Sequence, residues 1–251
     1  MAMSAVNNLF YSGTSGVVLP VNKSQFPAEF QNKSRLQYYA SLFNSVEINS
    51  TFYKLPKPTT VLNWAADVPE GFRFTFKISK SITHAPGLAF AVKDVVNFMD
   101  VVGNIGTKKG CLLAQFPPSL TIHNLDQLVK LLEIIGEIGQ NQPWNICLEF
   151  RNSSWSHPQV SKLLLKHNTT IVLHDLSEPS LQWHQIKSNI VYLRFHGPDP
   201  RYRGNYSDKF LMEHAQYIKQ WIGEEKMVYA YFNNTMGNAF NNLQDLNEKV
   251  R

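Results

Sequence analysis

Four side chains that can exchange protons stand at or near the ends of short apolar runs, and they are the first candidates for chemistry. Glu47 and Glu149 are carboxylates, while His174 and His196 are imidazoles. A carboxylate near an imidazole suits general acid–base catalysis, in which one group accepts a proton and the other donates or orients it. We therefore predict Glu47, Glu149, His174 and His196 as candidate catalytic residues.

A second set of polar side chains lies near the same run ends and could bind a substrate. Three of them, Lys77, Arg151 and Arg194, are cations that suit a phosphate or carboxylate, because they make charge-assisted hydrogen bonds to anions. The predicted substrate-binding residues are Asn49, Lys77, Thr83, His84, Gln115, Arg151, Arg194, Tyr202, Tyr206, Asn233 and Asn234. Tyr202 and Tyr206 belong to the stretch 196–208, which could grip a phosphate, stack on a ring or simply be a surface loop.

The runs that carry these residues have the length and composition of buried β-strands. They are LFYSGT (9–14), SVEINS (45–50), FRFTFK (72–77), CLLAQF (111–116), NICLEF (145–150), TIVLHD (170–175), IVYLRF (190–195) and MVYAYF (227–232). Segments of helical period separate most of them, for example Leu36, Tyr39, Ala40 and Phe43. Eight strands alternating with helices predict an α/β fold, a single (β/α)8 TIM-type barrel.

The predicted domain covers residues 9–251 and follows a flexible N-terminus, residues 1–8. Only about fifteen residues separate strands six and seven, which is too few for a full helix with two loops. Helix six is therefore predicted to be short or missing. The alternative fold is an open doubly wound sheet, but the run Gly13 to Gly16 lacks the G-x-G-x-x-G spacing of its nucleotide-binding loop.

Alternation along each strand predicts which side chains point into the barrel. In strand five, Ile146, Leu148 and Phe150 form an apolar face, which sends Glu149 and Arg151 to the inner face. The same argument places inside the barrel Glu47, Asn49, Arg73, Thr75, Lys77, Gln115, His174, Tyr192, Arg194, His196 and Asn233.

Two inward acids then face four inward bases, Arg73, Lys77, Arg151 and Arg194. Burying an unpaired charge costs several kcal/mol, so these groups must pair with one another or serve a ligand. Internal ion pairs that close the barrel without any function are one interpretation. The excess of positive charge favours the other interpretation, a site for a bound anion.

No cofactor is predicted. The two histidines together with Glu47 and Glu149 could bind a metal ion, but no H-x-H or H-E-x-x-H spacing supports such a site. Asp175 could orient a histidine only if strand six has already ended there, because adjacent strand residues point to opposite faces. The two cysteines, Cys111 and Cys147, are predicted to be buried, reduced thiols.

Bulk composition narrows the class of protein without naming a ligand. A content of 43% hydrophobic and 17% charged residues is that of a globular domain, and no apolar run is long enough to cross a bilayer. The start of the chain lacks the pattern of a signal peptide, so a cytoplasmic location without a membrane partner is predicted. The net charge of +5 favours anionic partners: a small anionic molecule first, with nucleic acid as the alternative. The oligomeric state is not predicted.

Long blocks of the sequence resemble the YecE-like family, domain of unknown function 72. They are GTSG (13–16), FNSVEINSTFYKLP (43–56), PEGFRFTFKISKSITH (69–84), LLAQFPPS (112–119), LEFRNSSW (148–155), YLRFHG (192–197) and YFNNT (231–235). The resemblance implies a TIM-type barrel in a bacterial or archaeal cytosolic protein, and it implies no particular reaction. One departure is Val17 to Pro20, where the family usually has a Trp and a Tyr.

The leading hypothesis is an enzyme that binds a small phosphorylated, carboxylated or sugar-like anion at the carboxyl ends of the strands. Arg151, Arg194 and Lys77 would hold the anion, Glu149 or Glu47 would be the base, and His196 the acid or orienting group. The alternatives are a nucleic-acid-binding protein or nuclease that uses the basic rim, and a binding barrel without turnover.

Overall fold

Eight parallel strands surround a common axis and form the sheet of a barrel. The computed structural model describes residues 9–141, 143–175, 188–199 and 201–251. Adjacent strands pair in the order β1-β8-β7-β6-β5-β4-β3-β2, and β1 also contacts β2. The strands are β1 (Phe10–Thr14), β2 (Ser45–Ile48), β3 (Arg73–Lys77), β4 (Lys109–Gln115), β5 (Asn145–Glu149), β6 (Thr169–His174), β7 (Ile190–Phe195) and β8 (Met227–Phe232). The predicted (β/α)8 TIM-type barrel is confirmed.

Helices follow the strands and cover the outside of the sheet. They are α1 (Arg35–Leu42), α2 (Pro58–Asp67), α3 (Lys80–Thr83), α4 (Val92–Gly103), α5 (Leu125–Ile138), α6 (Pro158–Lys166), α7 (Asp208–Gly223) and α8 (Ala239–Val250). Local sequence sets where they begin. The Ser34 side chain caps α1 by accepting from the backbone N–H of Gln37, and Pro58 starts α2. The predicted flexible N-terminus, residues 1–8, lies outside the described residues. So does the segment between β6 and β7 for which a short or missing helix was predicted, which is not the helix labelled α6 here.

Strand alternation divides the core into two layers, as parity predicts. Val46, Phe74, Leu148 and Leu193 belong to the large apolar layer between strands and helices. The second layer fills the barrel interior and consists of Tyr11, Cys111, Leu113, Cys147, Val172, Tyr192, Tyr229 and Tyr231. The phenol rings therefore fill the lumen, and both cysteines are buried, free thiols.

The contact between β1 and β2 depends on a side chain from a helix. The buried hydroxyl of Tyr39 on α1 accepts from the Thr14 N–H at 2.7 Å and donates to the Ser45 carbonyl at 3.2 Å. The side chain of Asn44 adds hydrogen bonds to the β1 backbone at 2.8 and 2.9 Å. The strands approach so closely that a Cβ at Gly13 would overlap the Ser45 carbonyl oxygen. Tyr39 therefore links two strands that make few direct backbone bonds.

Four strands end one or two residues earlier than predicted, and the end of β6 matters for the site: they are β2, β4 (ending at Gln115), β5 (ending at Glu149) and β6. β2 ends at Ile48 because residues 50–52 form a 3-10 turn. β6 ends at His174, so Asp175 is no longer bound by strand alternation. Because Asp175 lies beyond the end of the strand, its side chain can face the same side as that of His174.

None of the helices within the described ranges is both long and apolar enough to cross a membrane.

Replacing Tyr39 by Phe tests the link between β1 and β2. We expect Tyr39→Phe to lower the free energy of unfolding by about 1 to 3 kcal/mol, because it leaves a buried N–H and a buried carbonyl with fewer partners. Urea denaturation followed by circular dichroism measures this change. The matched control is Tyr38→Phe, a neighbour on α1 whose ring packs on Phe26 and Phe30, which we expect to change stability by less than about 0.5 kcal/mol. Equal effects of the two substitutions would contradict the role given to Tyr39.

Candidate functional site

One guanidinium joins two buried carboxylates across the top of the lumen. Arg194, near the end of β7, donates from Nη2 to Glu47 Oε1 at 3.0 Å and from Nη1 to Glu149 Oε2 at 3.1 Å. The side chains of both glutamates are 0% exposed, and that of Arg194 is 3% exposed. Strand alternation predicts that all three side chains point into the barrel, and the structure brings them together at the carboxyl ends of β2, β5 and β7.

The Glu47 carboxylate is held on every side. Besides the guanidinium of Arg194, it accepts from the Ser15 hydroxyl on Oε1 and from the Tyr192 hydroxyl on Oε2, each at 2.5 Å. Burial alone would raise the pKa of Glu47, but the charge of Arg194 and these hydrogen bonds outweigh it and lower the pKa. Glu47 is therefore an ionised carboxylate whose oxygens are already occupied.

Glu149 shares its two oxygens between two arginines. Oε2 accepts from Arg194, and Oε1 accepts from Nη2 of Arg151. Burial would raise the pKa of this carboxyl, yet the charges of Arg194 and then Arg151 lower it to about 2. Arg151 differs from Arg194 in being 17% exposed at its side chain, and its Nε and Nη1 groups make no hydrogen bond within the described residues.

His196 lies between the arginines and a third carboxylate. Its Nδ1 is 3.1 Å from Asp175 Oδ1, while Nε2 is 2.9 Å from Arg194 Nη1 and 3.0 Å from Arg151 Nη2. Because arginine has donors and no acceptor, these partners assign the ring proton to Nδ1 and leave Nε2 as an acceptor. Burial lowers the pKa of His196 below its ordinary value, which keeps the ring neutral at neutral pH.

Asp175 is a member of this cluster that sequence reasoning left conditional. It accepts from the backbone N–H of His196 at 2.9 Å and from the Tyr206 hydroxyl. Burial would raise the pKa of Asp175, but the hydrogen bonds from His196 and Tyr206 outweigh it and lower the pKa. The position of Asp175 follows from the end of β6 at His174. The sequence pattern predicted a strand one residue longer, in which Asp175 would have faced away from the lumen.

Lys77, at the end of β3, is the cation of the site without a carboxylate partner. Its Nζ makes no ion pair or hydrogen bond within the described residues and lies 4.2 Å from the ring centroid of Phe52. Burial, reinforced by the charge of Arg194, lowers the pKa of Lys77 to about 8. His84 packs edge-on to the same Phe52 ring at 4.9 Å, and burial, then Lys77 and Lys80, lower the pKa of His84. Phe52 was missed, because nothing in its sequence context distinguishes it from a core residue.

Three predicted binding residues support neighbouring loops, and one of them, Tyr206, also hydrogen-bonds Asp175 of the cluster. Thr83 is fully buried and hydrogen-bonds the Ser79 carbonyl and His84 Nδ1. Tyr206 is buried and bonds Asp175 and the Gly197 N–H. The Asn234 amide donates to the Gly204 carbonyl and to Asn242.

Other predicted residues border the cluster. The Asn49 amide donates to Asn233 Oδ1 at 3.4 Å, and the buried Asn49 Oδ1 has no hydrogen-bond partner within the described residues. Gln115 donates to a backbone carbonyl, and the half-buried His174 ring lies 5.7 Å from that of His196. Tyr202 is 46% exposed, and its ring lies 5.9 Å from that of His196, on a loop where Tyr202 adopts a left-handed φ of 61°.

Arg73 does not belong with the other inward bases, which corrects the expected charge count. It is the first residue of β3, whereas Lys77 is the last, so about 13 Å of strand separates them. Its guanidinium donates to the backbone carbonyls of Glu70 and Phe72 and lies over the Tyr11 ring. Alternation predicts the face of a strand but not the height along the barrel.

The expected excess of positive charge is also wrong at this end of the barrel. Among the described residues that meet there, three carboxylates face three cations, and the two histidines beside them have lowered pKa values. The carboxylates are Glu47, Glu149 and Asp175, and the cations are Lys77, Arg151 and Arg194. The ion pairs are distributed unevenly, because Arg194 pairs with two carboxylates and Lys77 pairs with none among the described residues.

No group of three or more His, Cys, Asp or Glu side chains is arranged to hold a metal ion in the part of the chain that the structure describes. The oxygens of Glu47 and Glu149 are instead shared with arginines.

Comparison with known proteins identifies relatives of this chain. It is 34% identical to the UPF0759 protein YecE of Escherichia coli K12 over 98 residues, which cover 39% of this chain and about a third (36%) of YecE. It is 26% identical to the UPF0759 protein YunF of Bacillus subtilis 168 over 246 residues, with 85% of each chain covered. A crystal structure of a DUF72 family protein from Thermotoga maritima MSB8 matches with a TM-score of 0.75 and 25% identity, and the match covers 96% of this chain and 98% of that one.

A family model described as "Protein of unknown function DUF72" matches residues 11–251. These residues contain every strand except the first residue of β1, as well as the whole ion-pair cluster. The chain therefore belongs to the DUF72 family, to which YecE-like proteins also belong.

Proposed function

We propose that this protein is an enzyme that binds a small anionic substrate at the carboxyl ends of its strands, with Arg151 and Lys77 as the groups that contact the anion. The observation that carries the proposal is the unequal use of the three cations. Arg194 is buried and donates hydrogen bonds to Glu47, Glu149 and His196. Arg151 keeps unused donors and partial exposure, and Lys77 has no anionic partner within the described residues.

The cost of burying charge supports this assignment. A mostly buried lysine without an ion pair loses hydration, and the Phe52 ring and the charges of Glu47 and Glu149 compensate only in part, so the pKa of Lys77 is lowered. An anion beside it would restore the missing interaction, since charge-assisted hydrogen bonds are stronger than neutral ones. Arg151 could add a forked contact to the same anion through Nε and Nη1.

The roles of the acidic and imidazole side chains in this proposal follow from their partners. Glu47 and Glu149 position Arg194 and Arg151. The pKa of Glu149 is about 2 and that of Glu47 is also lowered, so both are poor bases at neutral pH, and the oxygens of both are occupied. His196 orients the arginines through Nε2. His174 and His84, whose pKa values burial lowers, are half-buried neutral imidazoles and the better candidates to accept a proton.

Replacing Arg151 tests the anion site. We expect Arg151→Gln to weaken binding of sulfate, phosphate or malonate by about 10- to 100-fold, because one charge-assisted contact contributes about 1.5 to 3 kcal/mol. Isothermal titration calorimetry measures the affinity, and circular dichroism checks that the variant folds.

The matched control is Arg73→Gln, which removes a half-buried lumen arginine at the opposite end of the barrel and should leave anion affinity unchanged. Equal weakening by both substitutions would contradict the site, since it would indicate a general charge effect. Tight binding of single-stranded DNA that weakens steeply with salt, with no small anion bound, would favour a nucleic-acid-binding protein instead.

The pH dependence of sulfate binding tests the contribution of Lys77. Sulfate keeps its charge between pH 7 and 9.5, whereas the Lys77 amine loses its proton as the pH rises through about 8. Binding favours the protonated amine, so affinity should be nearly constant below pH 8 and fall by up to about tenfold per pH unit above it. Glu47, Glu149, Arg194 and His84 also interact with Lys77, and these four groups keep their charge state in this window.

Lys77→Arg is the control for this profile, because arginine stays protonated throughout. Its sulfate affinity should not fall above pH 8. An unchanged fall in this variant would assign the titration to a different group.

A further inference from the structure

Three properties occur together at the Lys77 amine. It is half-buried at the end of a barrel strand, its Nζ makes no ion pair or hydrogen bond within the described residues, and an aromatic face lies beneath it at 4.2 Å. The nearby glutamates do not neutralise it, because their oxygens are engaged by Arg194 and Arg151. An anchor for an anion accounts for the amine in its charged form, while burial and the neighbouring cations also favour its neutral form.

We propose that Lys77 is a catalytic nucleophile that forms an imine with the carbonyl carbon of a small oxo-acid or oxo-phosphate. This proposal deepens the proposed function and rests on it for one part, the contact between Arg151 and the anionic group of that substrate. The carbonyl group would lie against Nζ of Lys77, above the Phe52 ring.

The protonation state of Lys77 suits this role. With a pKa of about 8, about one amine in ten is unprotonated at pH 7, whereas an ordinary lysine would have far less than one in a hundred. Burial is the largest cause, and the charge of Arg194 adds to it, while Glu47 and Glu149 oppose it. Desolvation beside other cations is a general way to activate a lysine toward carbonyl compounds.

The covalent step requires no additional reagent. The nitrogen lone pair attacks the carbonyl carbon, a C–N bond forms, the C=O π bond breaks, and the oxygen takes up a proton as the nitrogen loses one. The resulting carbinolamine then loses its hydroxyl, which takes up a proton and leaves as water, while the nitrogen lone pair forms the C=N bond and the nitrogen gives up its remaining proton. Amine and carbonyl compound therefore give imine and water without oxidation or reduction.

His84 is positioned to move protons in these steps. Its ring contacts the edge of the same Phe52 ring that lies beneath Lys77, and its Nδ1 is bonded to Thr83. Both groups contact the Phe52 ring, and burial followed by the charge of Lys77 lowers the pKa of His84. A neutral imidazole at that place could accept the proton released by the amine and deliver one to the departing hydroxyl.

Reductive trapping tests the proposal directly. The full chain is incubated at pH 7 with pyruvate, an oxo-acid, and sodium cyanoborohydride, which reduces an imine to a stable secondary amine. Peptide mass spectrometry then compares adducts at Lys77 with those at Lys80, an exposed lysine three residues away. We expect the initial rate at Lys77 to exceed that at Lys80 by at least about tenfold, in line with its larger unprotonated fraction. Labelling of Lys77 at or below the rate of Lys80 would overturn the proposal.

A second probe separates this proposal from the proposed function. Hydroxyacetone has a carbonyl group but no charge, so it does not need the anion contact. Arg151→Gln should slow trapping of pyruvate at Lys77 by about tenfold more than it slows trapping of hydroxyacetone, whose rate reports only the effect of the Arg151 charge on the amine. If the protein binds sulfate but neither carbonyl probe labels Lys77 preferentially, the nucleophile is wrong and the anion site stands. If both probes label Lys77 equally well with and without Arg151, the nucleophile stands and the anion site fails.

Discussion

The guanidinium of Arg194 is the point on which the upper part of this barrel depends, because it is the shared partner of two carboxylates with no exposure to solvent. An ionised carboxylate in a protein interior costs several kcal/mol unless a cation and hydrogen bonds compensate for the lost water. Glu47 and Glu149 come from strands on different sides of the lumen, and one arginine from a third strand satisfies both. Loss of Arg194 would leave the buried Glu47 without a cation and Glu149 with Arg151 alone.

This constraint sets the position of the surrounding groups. Tyr192 and Ser15 complete the hydrogen bonds of Glu47, and Arg151 completes those of Glu149. His196 accepts from both arginines only because Asp175 holds the proton on its other nitrogen. The lumen therefore changes along its axis from packed phenol rings, through a sealed ion-pair layer, to the half-buried amine and imidazoles. Groups in the sealed layer give rigidity, and groups above it are the ones a ligand can reach.

Part of the candidate site was predictable because strand alternation is a local property. Once the runs around Glu47, Glu149 and Arg194 were assigned as strands, their apolar neighbours required the charged side chains to face the lumen. The ends of the same strands also suggested Lys77 and Arg151. The partners of these charged side chains and their degree of burial were not predictable. Two identical side chains, Arg151 and Arg194, differ in burial and in the donors they have left, and only the surrounding strands create that difference.

The sequence by itself determined the eight-strand barrel and the face of each strand that points inward, because hydrophobic periodicity follows from backbone geometry within a few residues. The tertiary structure alone decided the height of each inward group and its partners. Arg73 and Lys77 lie on the same face of β3, yet Arg73 lies at the amino end of the strand and Lys77 at its carboxyl end, beside the cluster. Asp175 joined the cluster because β6 ended one residue earlier than its apolar pattern. Such outcomes depend on how strands are staggered around a closed barrel and on which charges can be desolvated together, and neither property is local in the chain.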